Sequence, residues 1–381
     1  MDQAVKQAGS VGAQNRVAWL DAAKFIGIFL VILGHIRVKT YGFFAINHFT
    51  GIFHMPLFFF LAGLTQKSLP FKESVKDAAR KLLVPYTVFY FLTWFWWLPV
   101  SCLRHPEIYP SVFYDGVVRS FFGFLLAHGS EQTHFSMMTN APLWFCVGLF
   151  WCKVLYSLVQ SKAKNPTNVN FVLTLFLLFL GFVLRYFGIP KITTVVIGEY
   201  SFDYYERFIP FSLQNSLTNR YVYFFLGTLF KTQLFTNEKQ TSKPKTALLT
   251  ALFLVFTGVM YFFISQPETH DIYLSLLGAT CGIAFVYELS VLISPVPRFF
   301  SFLGRNTITI LAFHSITSGL ARAFLKYVVH YEVPGTKENP YGIAVALLVA
   351  VVSLLLCAVP AFVFERWFPF VLGRRRRHTS R

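Results

Sequence analysis

Apolar runs long enough to cross a bilayer recur along this chain, separated by short polar links. A helix crossing the hydrocarbon core needs about 20 mostly apolar residues. Ten stretches meet that requirement: 17–37, 43–64, 82–103, 141–159, 171–189, 209–230, 247–264, 271–293, 302–325 and 341–364. The pattern predicts an all-α, polytopic integral membrane protein with about ten transmembrane helices. The longest link, 104–140, contains an apolar piece from Val117 to Ala127 that is too short to span and reads as a re-entrant or interfacial segment. The first apolar run follows a polar stretch and continues at spanning length, which is not the form of a cleavable signal peptide. No internal repeat or separate soluble domain is visible. The expected organisation is a tail at 1–16, a transmembrane domain at 17–364 and a basic tail at 365–381.

Composition agrees and removes other classes. Of 381 residues, 55% are hydrophobic and 13% charged, against roughly 25% charged in soluble domains. The net charge of +17 would suggest nucleic acid in a soluble protein. Its distribution excludes that partner. With the amino terminus inside, 20 of the 34 Lys and Arg fall in inner segments and 8 in outer ones. That asymmetry is the positive-inside signal of a multi-pass protein contacting membrane lipid. It predicts both termini in the cytosol and a place in the cell (inner or plasma) membrane. The five cysteines are scattered, have no metal-ligand spacing and read as buried thiols, so no metal is expected.

Ionisable residues inside a span mark function by default. The first run carries Asp21, Lys24 and His35. Lys24 and His35 are eleven residues apart, three helical turns plus a small rotation, so they share a face about 16 Å apart along the axis. Asp21 lies one turn from Lys24 on the same side. The second run carries Asn47, Gly51 and His54 on one face, with Pro56 freeing a backbone carbonyl that His54 or a neighbouring helix would satisfy. Arg80 and Lys81 precede the third run and suit either a solvated basic cluster or a phosphate site. Thr307 and His314 share a face in the ninth run. Glu131, Asp203 and Glu206 in the outer links are candidate acceptor contacts, with solvated loop charge the simpler account.

These residues fall into an ordered set. Arg16, Leu20-Asp21, Lys24, Gly27 and Gly34-His35 resemble the opening signature of the acyltransferase 3 family, in particular its fucose O-acetylase-like branch. Phe53-His54-Met55-Pro56-Leu57-Phe58-Phe59, Leu82-Leu83-Val84-Pro85-Tyr86, Pro142-Leu143-Trp144-Phe145 and Phe302 through Asn306-Thr307 to His314 resemble the family's later motifs in order. The resemblance implies transfer of an acyl group, usually acetyl from cytosolic acetyl-CoA, to a hydroxyl of a carbohydrate or glycan. It implies His35 as the catalytic histidine and Lys24, Arg80 and Lys81 as donor-binding residues. Arg16, Asp21, His54, Asn306 and His314 would support them. The family's usual basic pair is two arginines three apart, whereas this chain has Arg80-Lys81 with Lys76 upstream.

The chemistry suits those residues. A thioester is already activated, so the protein needs mainly to deprotonate or position the hydroxyl and to stabilise an oxyanion. A secondary transporter of small solutes or glycan precursors is the alternative from another class, because buried His, Lys and Asp also build proton relays. Acceptor, acyl length and oligomeric state are not encoded in any recognisable pattern.

Overall fold

The structure is a computed structural model that describes residues 17–36, 41–104, 114–129, 136–137, 139–186, 192–197, 200–205, 211–237, 242–264, 272–331 and 341–374. Helices dominate, as the apolar runs require, since a bilayer offers no partner for an exposed backbone amide. The first two, α1 (Ala18–His35) and α2 (Tyr41–Leu64), are followed by α3 (Phe71–Ala78), a π turn (Ala79–Leu83) and α4 (Val84–Arg104). A further π turn (Tyr114–Arg119) leads into the short α5 (Ser120–Leu126). Next come α6 (Trp144–Lys162) and α7 (Pro166–Tyr186). A β-hairpin of β1 (Ile192–Ile197) and β2 (Tyr200–Tyr205) pairs Ile192 with Tyr205 and Ile197 with Tyr200. Helix α8 (Phe211–Asn215), a π turn (Ser216–Arg220) and α9 (Tyr221–Asn237) form one segment. Helices α10 (Lys243–Ile264), α11 (Ile272–Ile293), α12 (Arg298–Arg305), α13 (Thr307–Tyr327) and α14 (Gly342–Arg366) complete the described chain.

Eight helical stretches among the described residues are long and apolar enough to cross a membrane. The other two expected spans are helical where they are described, 43–64 within α2 and 211–230 within α8 to α9. The protein is an α-helical, multi-pass membrane protein.

Four local features depart from the apolar pattern. The third span begins at Phe71 rather than 82, because amphipathic α3 runs straight into it through the π turn. Pro85 lacks the amide that would bond the Lys81 carbonyl, and the Val84 amide reaches back to Ala79 instead. The ninth span breaks at Asn306 into α12 and α13. The link after α7 contains the hairpin, and the last helix runs to Arg366, two residues past the expected boundary.

The core is aromatic: Trp19, Phe53, Phe59, Phe89, Tyr90, Tyr221 and Phe224 are all buried. Large apolar side chains on α7 and α10, such as Phe171, Phe179, Val255 and Phe262, are exposed and form a lipid-facing surface. Where lipid is as apolar as leucine, helices associate through close backbone approach. Helices α2 and α9 cross in that way. A β-carbon on Gly63 would meet the Phe224 carbonyl, and one on Gly227 would meet the Phe60 carbonyl.

Gly227→Leu is therefore expected to force α2 and α9 apart and lower the melting temperature in detergent, at a cost of about 2 kcal/mol or more. Gly258→Ala, where a β-carbon meets nothing within 4 Å, is the control and should be neutral or slightly stabilising. Equal melting of wild type and Gly227→Leu would contradict the crossing.

Candidate functional site

One face of α1 runs through the whole site. At the end of the bundle that carries the first turn of α1, Lys24 lines a cavity of about 380 Å3. Helix α12 seats this end of α1, because Gly304 leaves room for the Asp21 backbone where a β-carbon would collide. Asp21 itself is buried.

The cavity wall is strongly cationic. Lys24, Lys67, Lys81, Lys153, Arg305 and Arg374 line it, with Asp77 the single acid among its lining residues. Lys81 Nζ sits 2.7 Å from Asp77 Oδ2, one turn back along the helix. Lys153, on α6, donates to Gln66 Oε1 at 2.6 Å and stands 5.4 Å over the Phe224 ring. The amide and the ring together hold a cation that would otherwise be costly inside a span. A second cavity, of about 500 Å3, shares Gln66, Lys67 and Leu69 with the first and extends between the ends of α2, α6 and α9.

Deeper in the bundle the wall turns apolar. Phe58, Phe145, Thr307 and Ile308 line both the cationic cavity and a constriction of about 10 Å3. Ile28, Val31, Met55 and Leu311 complete this throat. On α1 the lining residues run Lys24, Ile28, Val31, and on α13 they run Thr307, Ile308, Leu311. Each set follows the 3–4 residue spacing of one helical face.

Beyond the throat three histidines gather. The His35 and His314 rings are edge to face with centroids 4.9 Å apart, and His54 is 6.5 Å from His35. All three share one device. Nδ1–H of His35 donates to Val31 O at 2.7 Å, that of His54 to Thr50 O at 2.8 Å and that of His314 to Leu311 O at 2.7 Å. A carbonyl only accepts, so each bond places the proton on Nδ1 and, in the neutral ring, the lone pair on Nε2. The carbonyls of Val31 and Leu311 belong to throat residues, so the constriction and the ring orientations are set by the same turns. His35 is exposed and His314 is 1% exposed. Among the described residues, no group of three or more His, Cys, Asp or Glu is arranged to hold a metal ion.

The structure thus brings Lys24, Lys81, Asn306, Lys153 and Arg374 to one cavity and His35, His54 and His314 to one cluster. Arg80, in the π turn, is not among the cavity's lining residues. Arg16, Glu131 and Glu206 lie outside the described residues, and Asp203 is in β2. His54 bonds the Thr50 carbonyl, not the Ile52 carbonyl that Pro56 frees. Asn47 lies in α2. Thr307 lines the cavity rather than only packing helices. Sequence reasoning missed Lys153, although a lysine at mid-run between residues 141 and 159 is the same signal that singled out Lys24. It also gave no site role to Arg305, which lies within the late motif from Phe302 to His314, or to Arg374, which counted only as topology charge.

The burial contrast is measurable. Brief treatment with diethyl pyrocarbonate should acylate His35 ahead of His314 in peptide mass spectra. Faster modification of His314 would contradict the cluster's orientation.

The sequence profile described as an acyltransferase domain, acyltransferase 3, matches residues 17–361. Comparison with curated proteins and with solved structures gives no match.

Proposed function

The chain belongs to the acyltransferase 3 family, and from that premise we propose that this membrane acyltransferase moves an acyl group, acetyl in the simplest case, from acyl-CoA to a hydroxyl of a sugar or glycan. One observation carries the reading: a cationic cavity, an apolar throat and a histidine cluster follow one another along a single face of α1. Acyl-CoA has the same sequence of properties, with phosphates at one end, a slender arm, and a thioester at the other.

The donor's phosphates rest among Lys24, Lys81, Lys153 and Arg374, and the adjoining cavity beside Lys67 has room for the nucleotide. The arm passes Phe58 and Phe145 and presents the thioester to His35. The acceptor approaches from the opposite end. His35 Nε2 takes the hydroxyl proton as the oxygen attacks the thioester carbon. The C–S bond then breaks, and the thiolate recovers the proton from the imidazolium. The thioester supplies the activation, so no metal is required. Lys24 lies about 16 Å from His35 on the same helix, a separation that keeps the phosphates away from the reacting carbon. In this reading the cationic end faces the cytosol, both termini are cytosolic, and the membrane is the cell (inner or plasma) membrane. The family assignment leaves no observation in favour of the transporter alternative.

The test is acetyl transfer from labelled acetyl-CoA in reconstituted vesicles, with mass spectrometry of the glycan acceptor. His35→Ala is expected to lower kcat by about 100-fold or more. Lys153→Met should raise KM for the donor about tenfold, with a smaller change in kcat. A folded His35→Ala protein with wild-type turnover would remove His35 from the chemistry.

A further inference from the structure

The amino terminus of α13 opens on the cationic cavity, and its own cap is turned away from it. Asn is among the best N-cap residues because its side-chain oxygen accepts from the first-turn amides. Asn306 occupies that position, yet its side chain makes no capping bond. Its Nδ2 instead donates to Glu365 Oε2 at 2.6 Å and to Phe302 O at 3.0 Å. Glu365 is held in turn by Arg374, 3.2 Å away, which also donates to the Arg305 carbonyl at 2.8 Å. The amides of Thr307, Ile308 and Thr309 precede the first intrahelical bond, from the Ile310 amide to Asn306 O, and so have no acceptor within the helix.

A second observation points the same way. Asn306 Oδ1 and Thr309 Oγ1 are buried without a hydrogen-bond partner. Asn306 is 2% exposed and Thr309 0%, and both residues line the cavity. Leaving two polar atoms unmatched at a helix end costs stability, and the cost is recovered when a ligand matches them. A helix amino terminus favours an anion through its dipole and its amides, and the Lys24 and Arg374 side chains line the same cavity.

We propose that the amino terminus of α13 is the phosphate-binding end of the donor site and that Glu365 is its positioning residue. This rests on the acyl-CoA reading above. First-turn amides and Thr309 Oγ1 donate to phosphate oxygens, and Asn306 Oδ1 accepts from a neighbouring hydroxyl or amide N–H of the same ligand. Glu365 holds the Asn306 amide off the helix end, so the helix binds its ligand instead of its own cap. Thr307 and His314 are seven residues apart, about 10 Å along α13, so the arm need only follow this face through the throat to reach the histidines.

The experiment is calorimetric binding of CoA and of inorganic pyrophosphate to the purified full-length protein in detergent, alongside its melting temperature. Asn306→Asp puts a carboxylate where the anion sits, and it also removes the amide that donates to Glu365 and Phe302. Both probes should then bind about tenfold or more weakly with some loss of melting temperature, so Thr309→Val is the variant that separates binding from stability. Thr309→Val removes a hydroxyl with no partner, so melting should hold or rise while affinity for both probes falls several-fold. Glu365→Gln keeps an acceptor for Asn306 but loses the charge that holds Arg374, and a smaller loss of affinity is expected. Variants that bind both probes like wild type overturn this site and leave the donor reading intact. Wild-type binding of pyrophosphate but not CoA, lost in Asn306→Asp and Thr309→Val, supports the site and overturns the donor. Wild type that binds neither probe overturns both.

Discussion

A polar group inside a bilayer must find its partner in the protein, and that constraint shapes every part of this molecule that does chemistry. Each of the three gathered histidines meets it within its own helix, sending Nδ1–H to a carbonyl three or four residues back. The bond fixes the ring plane and the tautomer together, so Nε2 of each ring is oriented by the helix itself. Lys153 meets the constraint through Gln66 and the Phe224 ring. Asn306 meets only part of it, with its amide nitrogen bonded and its oxygen unmatched. Unmatched atoms are costly enough here that their position beside a cavity is informative.

The bundle was legible in the chain because span length is a physical requirement. Apolar runs located the eight spanning helices found among the described residues, and the Lys24–His35 spacing located the face that joins cavity to cluster. What the chain did not display were contacts across long sequence separations. Glu365 stands 59 residues from Asn306, and Lys153 stands 87 from Gln66. Neither pairing leaves a periodic trace. The break at Asn306 was hidden by apolar residues on both sides of it. The π turn before α4 follows from Pro85, a local signal whose effect lies upstream of the proline and moves the start of the span. Lys153 was visible by the rule that found Lys24, and it was absorbed into its run because the flanking residues are so apolar.

The two cavities and the throat divide the work by polarity. Cations cluster around the wider cavity. The throat residues Phe58, Phe145, Met55 and Leu311 line a constriction of about 10 Å3 with apolar side chains. The histidines lie past the throat, away from the cationic wall. Helices α1 and α13 carry all three zones, so a shift of one against the other changes the width of the throat and the meeting of His35 with His314 together.

The narrowness of that throat has an electrical consequence. The cationic cavity and the histidine cluster are separated by a throat of about 10 Å3 lined mostly by apolar side chains, and a charge crossing it works against whatever part of the transmembrane potential falls there. Moving a unit charge through it would cost about 2.3 kcal/mol per 100 mV. Under the donor reading proposed above, the thioester would carry no charge past Phe58 and Phe145, and its phosphates would stop before them. Group transfer arranged in that way would be indifferent to membrane voltage and would leave the insulation of the bilayer intact.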